Sequence, residues 1–242
     1  MRIKNLFIDS RAVRSLKIDG RPIAFVTEPV ASDALCFTAE EANSTVAMKK
    51  NGSAPTVSLE YSTDGVTWNP FVVGSTTVTL ANIGDKVYMR ATSAGNTGMS
   101  SSYTNYNQFL MMGKISASGN VNTLLDQNGN ATLTRYCYSG LFTGCTSLTT
   151  APELPATTLA NFCYENMFNG CTSLTSAPEL PATTLADYCY SNMFNGCTSL
   201  TQSPELPATA IPNNCYKSMF AGCTSLTTAP KLPATKLNDY CY

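Results

Sequence analysis

Residues 137–162, 163–188, 189–214 and 215–240 read CYSGLFTGCTSLTTAPELPATTLANF, CYENMFNGCTSLTSAPELPATTLADY, CYSNMFNGCTSLTQSPELPATAIPNN and CYKSMFAGCTSLTTAPKLPATKLNDY. These four in-register copies define a strict 26-residue period, and fourteen of the 26 columns are identical in all of them. A period of this length with a recurring leucine-rich segment implies a solenoid, in which each coil covers the hydrophobic face of its neighbour. The chain stops at Cys241-Tyr242, the first two residues of a fifth copy. An uncapped last coil would leave an apolar, unpaired edge in water, so the natural protein is expected to continue.

Within one coil, Leu148-Thr-Thr-Ala151-Pro-Glu-Leu154-Pro is expected to form a short strand ended by proline, which cannot donate to the next ladder. The segment Tyr164 to Cys171 is too short for a stable helix and suits a single helical turn closed by Gly170 in the left-handed region. Leu148, Leu154, Leu159, Cys163, Phe168, Cys171 and Leu174 are expected to point inward and stack on their copies.

The block Phe142-Thr-Gly144-Cys145-Thr-Ser-Leu148, repeated at Phe168 to Leu174, Phe194 to Leu200 and Phe220 to Leu226, resembles the BspA-like, or Treponema pallidum-type, leucine-rich repeats. The resemblance covers residues 137–242; the inserted A-P-E-L-P-A-T lengthens the commoner period, so coil curvature is not carried over. It implies an extracellular adhesive or virion-surface role without chemistry, in proteins of gut Bacteroides or their phages and prophages, with a fibre or head-surface protein of a crAss-like phage as the nearest image.

Upstream of the repeats the character changes. Residues 1–30 contain an echo, Leu6-Phe-Ile8-Asp9-Ser10-Arg11 against Leu16-Lys-Ile18-Asp19-Gly20-Arg21, whose alternating apolar residues around D-S and D-G turns read as a β-meander. It is basic through Arg2, Lys4, Arg11, Arg14, Lys17 and Arg21, and its I-x-x-L-x-I-D-G pattern resembles attachment segments of Bacteroides phage proteins. Residues 31–118 show strand-like runs at 35–38, 45–48, 56–62, 76–80, 86–91 and 108–115, separated by turn signals such as Asn51-Gly52 and Asp64-Gly65. This spacing favours an antiparallel β-sandwich of immunoglobulin-like size. Residues 119–136 are expected to be a linker that becomes an atypical first coil. The fold class expected is therefore mainly β: a meander, an immunoglobulin-like sandwich, then a leucine-rich-repeat solenoid.

Composition narrows the function. Of 242 residues 15 are basic, 16 acidic and none histidine, and only 13% are charged, about half the usual share. A net charge of −1 argues against a phosphate-neutralising surface, so no nucleic-acid partner is expected. Without histidine the commonest general base and metal ligand are both missing, and no cofactor, metal or catalytic residue is expected. No run approaches the ~20 apolar residues of a membrane-spanning helix, so no membrane partner is expected, and the charged N-terminus offers no apolar core for a Sec-type export signal.

Several residue sets invite a functional reading. Nine of the ten cysteines fall in two columns: Cys137, Cys163, Cys189, Cys215 and Cys241, and Cys145, Cys171, Cys197 and Cys223. Strand spacing alone does not exclude bridges, yet parallel stacked side chains do not present the disulfide dihedral, so a reduced structural ladder is expected. Zinc would need C-x-x-C pairs or histidines. Cys36 stands alone and reads as core. The segment Ser62-Thr-Asp64-Gly65-Val-Thr67-Trp68 resembles an Asp-box hairpin shortened by one residue, with Trp68 expected to be buried, and that motif is a structural turn even in sialidases. Asp9 and Asp19 read as turn residues rather than as an acid-base pair. Tyr138, Tyr164, Tyr190 and Tyr216 form either a half-buried stacking ladder or a ligand platform. Thr149, Thr175, Thr201 and Thr227 are placed in one surface row beside the P-E-L-P corner, a candidate adhesive row. The repeat acids Glu153, Glu165, Glu179, Asp187, Glu205 and Asp239 are mostly strand-flanking, which leaves a glycosidase without two inward carboxylates.

The function expected is that of a non-enzymatic phage virion protein, a fibre or head or tail surface appendage. Its basic N-terminal element would bind other virion proteins, capsid or tail, and its repeats a host or gut surface glycan or protein; a homo-oligomer at the virion surface is expected. The alternative is a BspA-like adhesin at the bacterial cell surface, which requires export.

Overall fold

The computed structural model describes residues 33–241 and, before them, a strand pair at 17–18 and 21–22. Met1–Val30 and Ala31–Tyr242 are two separate compact units. In the first, β1 (Lys17–Ile18) and β2 (Arg21–Pro22) pair antiparallel with Ile18 opposite Arg21. The rest of the expected meander, with Arg2, Lys4, Arg11 and Arg14, lies outside the described residues, as do the side chains of Lys17 and Arg21.

The second unit is mainly β. It holds β3 (Leu35–Ala39), β4 (Ser44–Asn51), β5 (Leu59–Ser62), β6 (Asn69–Phe71), β7 (Thr77–Leu80), β8 (Lys86–Ala91), β9 (Tyr106–Met112), β10 (Ile115–Ser118), β11 (Leu148–Thr150), β12 (Ala210–Ile211) and β13 (Lys236–Leu237). Val121–Leu124 form a short 3-10 helix, capped by Asn120, whose side chain accepts from the Asn122 amide. One sheet has the order β11-β10-β3-β8-β5-β6 and a second β7-β4-β9. Alternation decides which face is inward: in β8, Val87, Met89 and Ala91 are buried and their neighbours are not. The sheets meet through Phe37 of β3 and Phe109 of β9, whose rings pack edge to face at 5.0 Å.

The expected run from 108 to 115 divides into β9 and β10, which belong to different sheets. The break falls at Gly113, with φ 74°, where an added Cβ would collide with Ser44. A left-handed glycine there lets the chain leave one sheet and enter the other.

From Tyr136 onward the four copies stack, and their hydrogen bonds follow a two-residue alternation. Odd-numbered amides bond backwards within their own turn: Cys163 N–H to Ala160 O, Glu165 to Phe162, Met167 to Tyr164, Asn169 to Asn166 and Cys171 to Phe168, at 3.1–3.2 Å. Even-numbered amides bond to the next copy: Phe162 to Asp187, Tyr164 to Cys189, Asn166 to Ser191, Phe168 to Met193 and Gly170 to Asn195, at 2.7–3.0 Å. Every backbone polar group of the segment thus has a partner, which its burial demands. The expected single helical turn is instead this chain of tight turns, with left-handed residues every fourth position: Phe162, Asn166 and Gly170, with φ 61°, 55° and 73°.

The expected strand is shorter than its sequence suggests. Only the first copy has a three-residue strand, β11, and later copies touch through single parallel bridges, Thr150 to Ser176 and Ser176 to Gln202. Pro152, Pro178 and Pro204, two residues after each bridge position, have no N–H to extend the pairing. The expected inward residues Leu148, Leu154, Leu159, Cys163, Phe168, Cys171 and Leu174 are all buried, and Leu141, Met167, Met193 and Met219 join them.

The two sheets end on the first copy. Its odd carbonyls have no preceding copy to serve, and the N-terminal segment supplies the donors: Met99 N–H to Cys137 O at 2.7 Å, Ser100 Oγ to Ser139 O at 2.6 Å, Phe109 N–H to Leu141 O at 2.8 Å, and Gln108 Nε2 to Thr143 O. On the opposite side β10 pairs parallel with β11. One hydrophobic core runs unbroken from Leu35 to Cys241, so the boundary expected at 118 does not separate two cores. A fragment of residues 119–242 should consequently lack a cooperative urea transition, because Leu141, Phe142, Cys145 and Leu148 would lose their cover. A fragment unfolding with the sigmoidal far-ultraviolet dichroism change of the whole unit would refute this.

Candidate functional site

Each copy turns a corner at P-E-L-P, and the prolines shape what lies between corners. Backbone pairing links Thr175 N–H to Thr149 O at 3.1 Å and Thr150 to Ser176 before the corner, and Thr183 N–H to Thr157 O at 3.2 Å after it. Between them Pro152 and Pro155, and in the next copy Pro178 and Pro181, cannot donate. Grooves lie between these corners. One of about 530 Å³ is lined by Ala151, Pro152, Glu153, Leu154, Pro155, Pro178, Glu179 and Pro181. Its translated copy, about 330 Å³, is lined by Ala177 to Pro181 with Pro204, Glu205 and Pro207.

Pro152, Pro178 and Pro204 are buried floors, whereas Glu153, Glu179 and Glu205 are exposed. Apolar pyrrolidine faces thus alternate with carboxylate acceptors along one edge. That surface matches a ligand alternating apolar ring faces with hydroxyl donors. In the fourth copy the carboxylate gives way to Lys231.

The threonine row lies next to this edge. Thr201 Oγ1 donates to Thr175 O, Thr175 Oγ1 to Thr149 O and Thr149 Oγ1 to Ile115 O, each at 3.2 Å. Three of the four expected residues are thereby brought into one file, and Thr227 is exposed in the fourth copy. Their hydroxyl protons are spent on the stack, so toward solvent these hydroxyls act as acceptors.

Tyr138, Tyr164, Tyr190 and Tyr216 are fully buried rather than half-buried, at most 4% exposed. Their rings stack at 5.8–5.9 Å, and a ligand platform there is excluded by their cover. Sequence reasoning passed over a different aromatic file, Tyr136, Phe162 and Tyr188, which is partly exposed and stacked at 4.6 Å between centroids. The Arg135 guanidinium lies 5.1 Å and 5.2 Å from its first two rings. The available signal was the last column of the repeat, which reads Phe, Tyr, Asn, Tyr.

The cysteines are all buried. Cys145, Cys171, Cys197 and Cys223 each direct Sγ at a phenylalanine carbonyl one layer back, Phe109, Phe142, Phe168 and Phe194, at 3.0–3.2 Å. In the other column Cys189 and Cys215 bring their sulfurs within 3.2 Å. Burial pushes the Cys137 thiol up to about 11 and those of Cys145 and Cys197 to about 12, so they stay protonated and poorly nucleophilic at neutral pH.

In the Asp-box-like hairpin, Asp64 Oδ1 accepts from the Val66 and Thr67 amides at 2.8 Å and 2.7 Å and from Ser62 Oγ at 2.8 Å. Those bonds hold its carboxyl well below the usual range. Trp68 is half-buried, not buried as expected: Arg90 covers its ring at 3.7 Å while pairing with Glu60 at 2.6 Å. Among the described residues no group of three or more metal-ligating side chains could hold an ion, and no helix is long and apolar enough to cross a membrane.

No protein-family model, curated protein or solved structure matches this chain. The leucine-rich-repeat resemblance accordingly rests on the repeat residues themselves.

Glu165 is the odd member of its column, where Ser139 and Ser191 are buried and Lys217 is exposed. Its Oε2 is buried without a hydrogen-bond partner, and desolvation raises its carboxyl to about 7. The folded state therefore favours the protonated acid more than the unfolded chain does, so stability is fully present below the ordinary carboxyl range and is lost as pH rises toward 7 and above. Discounted for the half-exposed position, the loss between pH 4.5 and 8 should be on the order of 1–2 kcal/mol. Glu165→Gln should flatten that slope in urea titrations at the two pH values; an unchanged slope would place the cost elsewhere.

The thiols give a second check. Native protein at pH 8 should react negligibly with a disulfide reagent such as DTNB, and the denatured, unreduced protein should yield ten thiols. Eight or fewer would mean that the ladder is bridged.

Proposed function

We propose that this chain is a non-enzymatic phage virion surface protein, a fibre or head or tail appendage, whose repeats bind a repeating surface polymer of the host or gut. In this reading the stack is a leucine-rich-repeat solenoid of the BspA-like type, the paired sheets are an immunoglobulin-like sandwich that starts it, and Met1–Val30 is the attachment element for capsid or tail proteins. The observation that carries the binding role is the P-E-L-P groove repeated on consecutive copies. A groove recurring at the layer spacing, beside a file of threonines, offers equivalent weak contacts to successive units of a polymer. A rigid stack adds little ordering cost per contact, so avidity supplies the affinity.

Division of the chain into Met1–Val30 and Ala31–Tyr242 supports a separate anchor. A bacterial cell-surface adhesin is the second reading, favoured by the repeat resemblance alone, and it predicts a different location for the same groove.

Binding to purified surface polysaccharides of gut Bacteroides, read by biolayer interferometry, tests the groove. Glu179→Ala should weaken binding a few-fold, whereas Glu153→Ala, Glu179→Ala and Glu205→Ala together should abolish it, and raising salt from 20 to 150 mM should change it little. Abolition by the single change or by salt would refute a distributed groove. Immunogold labelling of phage particles against labelling of intact bacteria separates virion from adhesin.

A further inference from the structure

Just past the P-E-L-P corner, the edge of the stack is laddered at every other step. Between copies one and two the backbone is paired: Thr183 N–H bonds Thr157 O at 3.2 Å, Leu159 N–H bonds Thr184 O at 2.9 Å, and Thr158 bridges Thr184. Between copies three and four it is paired again, through Thr235 N–H to Thr209 O at 3.1 Å and the parallel strands β12 and β13. The other two steps differ. Leu133 and Tyr136 stand one 26-residue period before Leu159 and Phe162, and Tyr136 N–H bonds Asn161 O at 3.1 Å just as Phe162 N–H bonds Asp187 O, so the lead-in segment is the layer before copy one. Yet among the described residues Thr157 N–H does not bond Ala131 O, and Leu133 N–H does not bond Thr158 O. The same two bonds, from Thr209 N–H to Thr183 O and from Leu185 N–H to Ala210 O, are missing between copies two and three.

An opening lies at each unladdered step. The first, about 340 Å³, has Ala131, Thr132 and Leu133 on one layer and Thr157 and Thr158 on the next. Asn122, only 4% exposed, is also in its wall, and the Asn122 Oδ1 is already taken by the Tyr138 hydroxyl at 3.1 Å. The second, about 350 Å³, has Thr183, Thr184 and Leu185 on one layer and Ala210 and Ile211 on the next. The two openings are equivalent places two layers apart, ~9–10 Å at strand spacing. Each is walled by backbone whose donors and acceptors are spent on pairing at the alternate steps. An occupant must therefore both donate and accept, as a hydroxyl does. No charged side chain lines the first opening and Lys236 alone lines the second, so the occupant is neutral. Pro155 lines both the first opening and the P-E-L-P groove, which makes the two continuous.

We propose that the two openings are paired subsites for alternate units of a straight, neutral, β-1,4-linked polysaccharide lying along the stack. The proposal deepens the reading of the P-E-L-P groove as a polymer-binding surface and rests on it. In such a chain each ring is turned over relative to the one before, so equivalent hydroxyl edges recur once every two rings, and each ring advances by close to one layer. Unladdered steps receive the edge that faces inward, and laddered steps pass the edge that faces away. Two subsites held at a fixed spacing by a rigid stack then reinforce each other. A helically coiled polymer such as an α-1,4-linked glucan does not keep this phase.

The experiment uses the full chain and isothermal titration calorimetry with the β-1,4-linked hexasaccharides of glucose, mannose and xylose, and with α-1,4-linked maltohexaose. At least one of the first three should bind, and maltohexaose should bind more weakly than it by roughly tenfold or more. Thr158→Trp and Ala210→Trp place an indole over the first and the second opening, and because both positions are exposed the melting temperature should hold. Each change alone should weaken binding roughly tenfold, and the two together should abolish it. The comparison of hexasaccharides on the unmodified chain decides the phase requirement whether or not a variant folds. No binding of any β-1,4-linked hexasaccharide, equal binding of maltohexaose, or undiminished binding in the double variant overturns the paired subsites. Binding kept in the double variant but lost on changing Glu153, Glu179 and Glu205 together to alanine also overturns them, and leaves the groove as the polymer site.

Discussion

The alternation of amide bonds between Phe162 and Gly170 is the constraint on which the rest of the stack depends. Half the amides close tight turns and half reach the following copy. This division works only if the backbone reverses hand every fourth residue, which explains columns that would otherwise look arbitrary. Glycine stands at 144, 170, 196 and 222, and asparagine or serine at 166, 192 and 218, all with positive φ. Gly140 replaces asparagine in the first copy for a further reason: an added Cβ would press within 2.7 Å of the Tyr106 ring, which covers that copy. An insertion of one residue would exchange the roles of odd and even amides, so the strict 26-residue period follows from hydrogen-bond parity as much as from packing.

A ladder of this kind must begin somewhere, and its first layer presents acceptors with nothing to accept. Here two sheet edges, which would themselves invite unwanted pairing, meet that need. β10 receives β11, and β9 with the loop before it serves the carbonyls from Cys137 to Thr143. The aromatic cores join at the same place, Phe109 stacking on Phe142 at 5.0 Å. The inner cysteine column repeats the logic with side chains, each thiol facing a carbonyl one layer back. A thiol fits there because it is small and apolar yet still donates.

The repeats were legible in the sequence because identical columns reveal both period and inward positions; Leu148, Phe168 and Cys171 could be placed from pattern alone. Five of the six strand runs expected upstream fall on β3, β4, β5, β7 and β8, and the sixth divides at Gly113. What the pattern hid depends on three-dimensional partners. Nothing local announces that Gly113 passes the chain between sheets, because the reason is Ser44, far away in sequence. Trp68 reads as core, yet Arg90 covers it from a strand that sequence proximity does not suggest. The tyrosines after each first cysteine read as half-buried, since a phenol needs a partner. Tyr138 finds Val121 O and Asn122 Oδ1 in the lead-in segment, and Tyr164 is buried with its hydroxyl unbonded. Packing across layers outweighed that local polarity.

The same accounting separates the surfaces free to bind from those committed to folding. Threonine hydroxyls beside the corner donate into the stack, so their removal would loosen layers as well as alter a surface. The proline corners differ: their prolines have no N–H to give to the stack, and although Glu153 exchanges backbone bonds with Gly119 and Val121, its carboxylate and those of Glu179 and Glu205 are exposed. A corner can thus change its side chain, as the fourth copy does from glutamate to Lys231, without disturbing the parity that holds the stack. Variation tolerated there and forbidden at Gly170 is what a scaffold needs if binding and folding are carried by different atoms of one repeat.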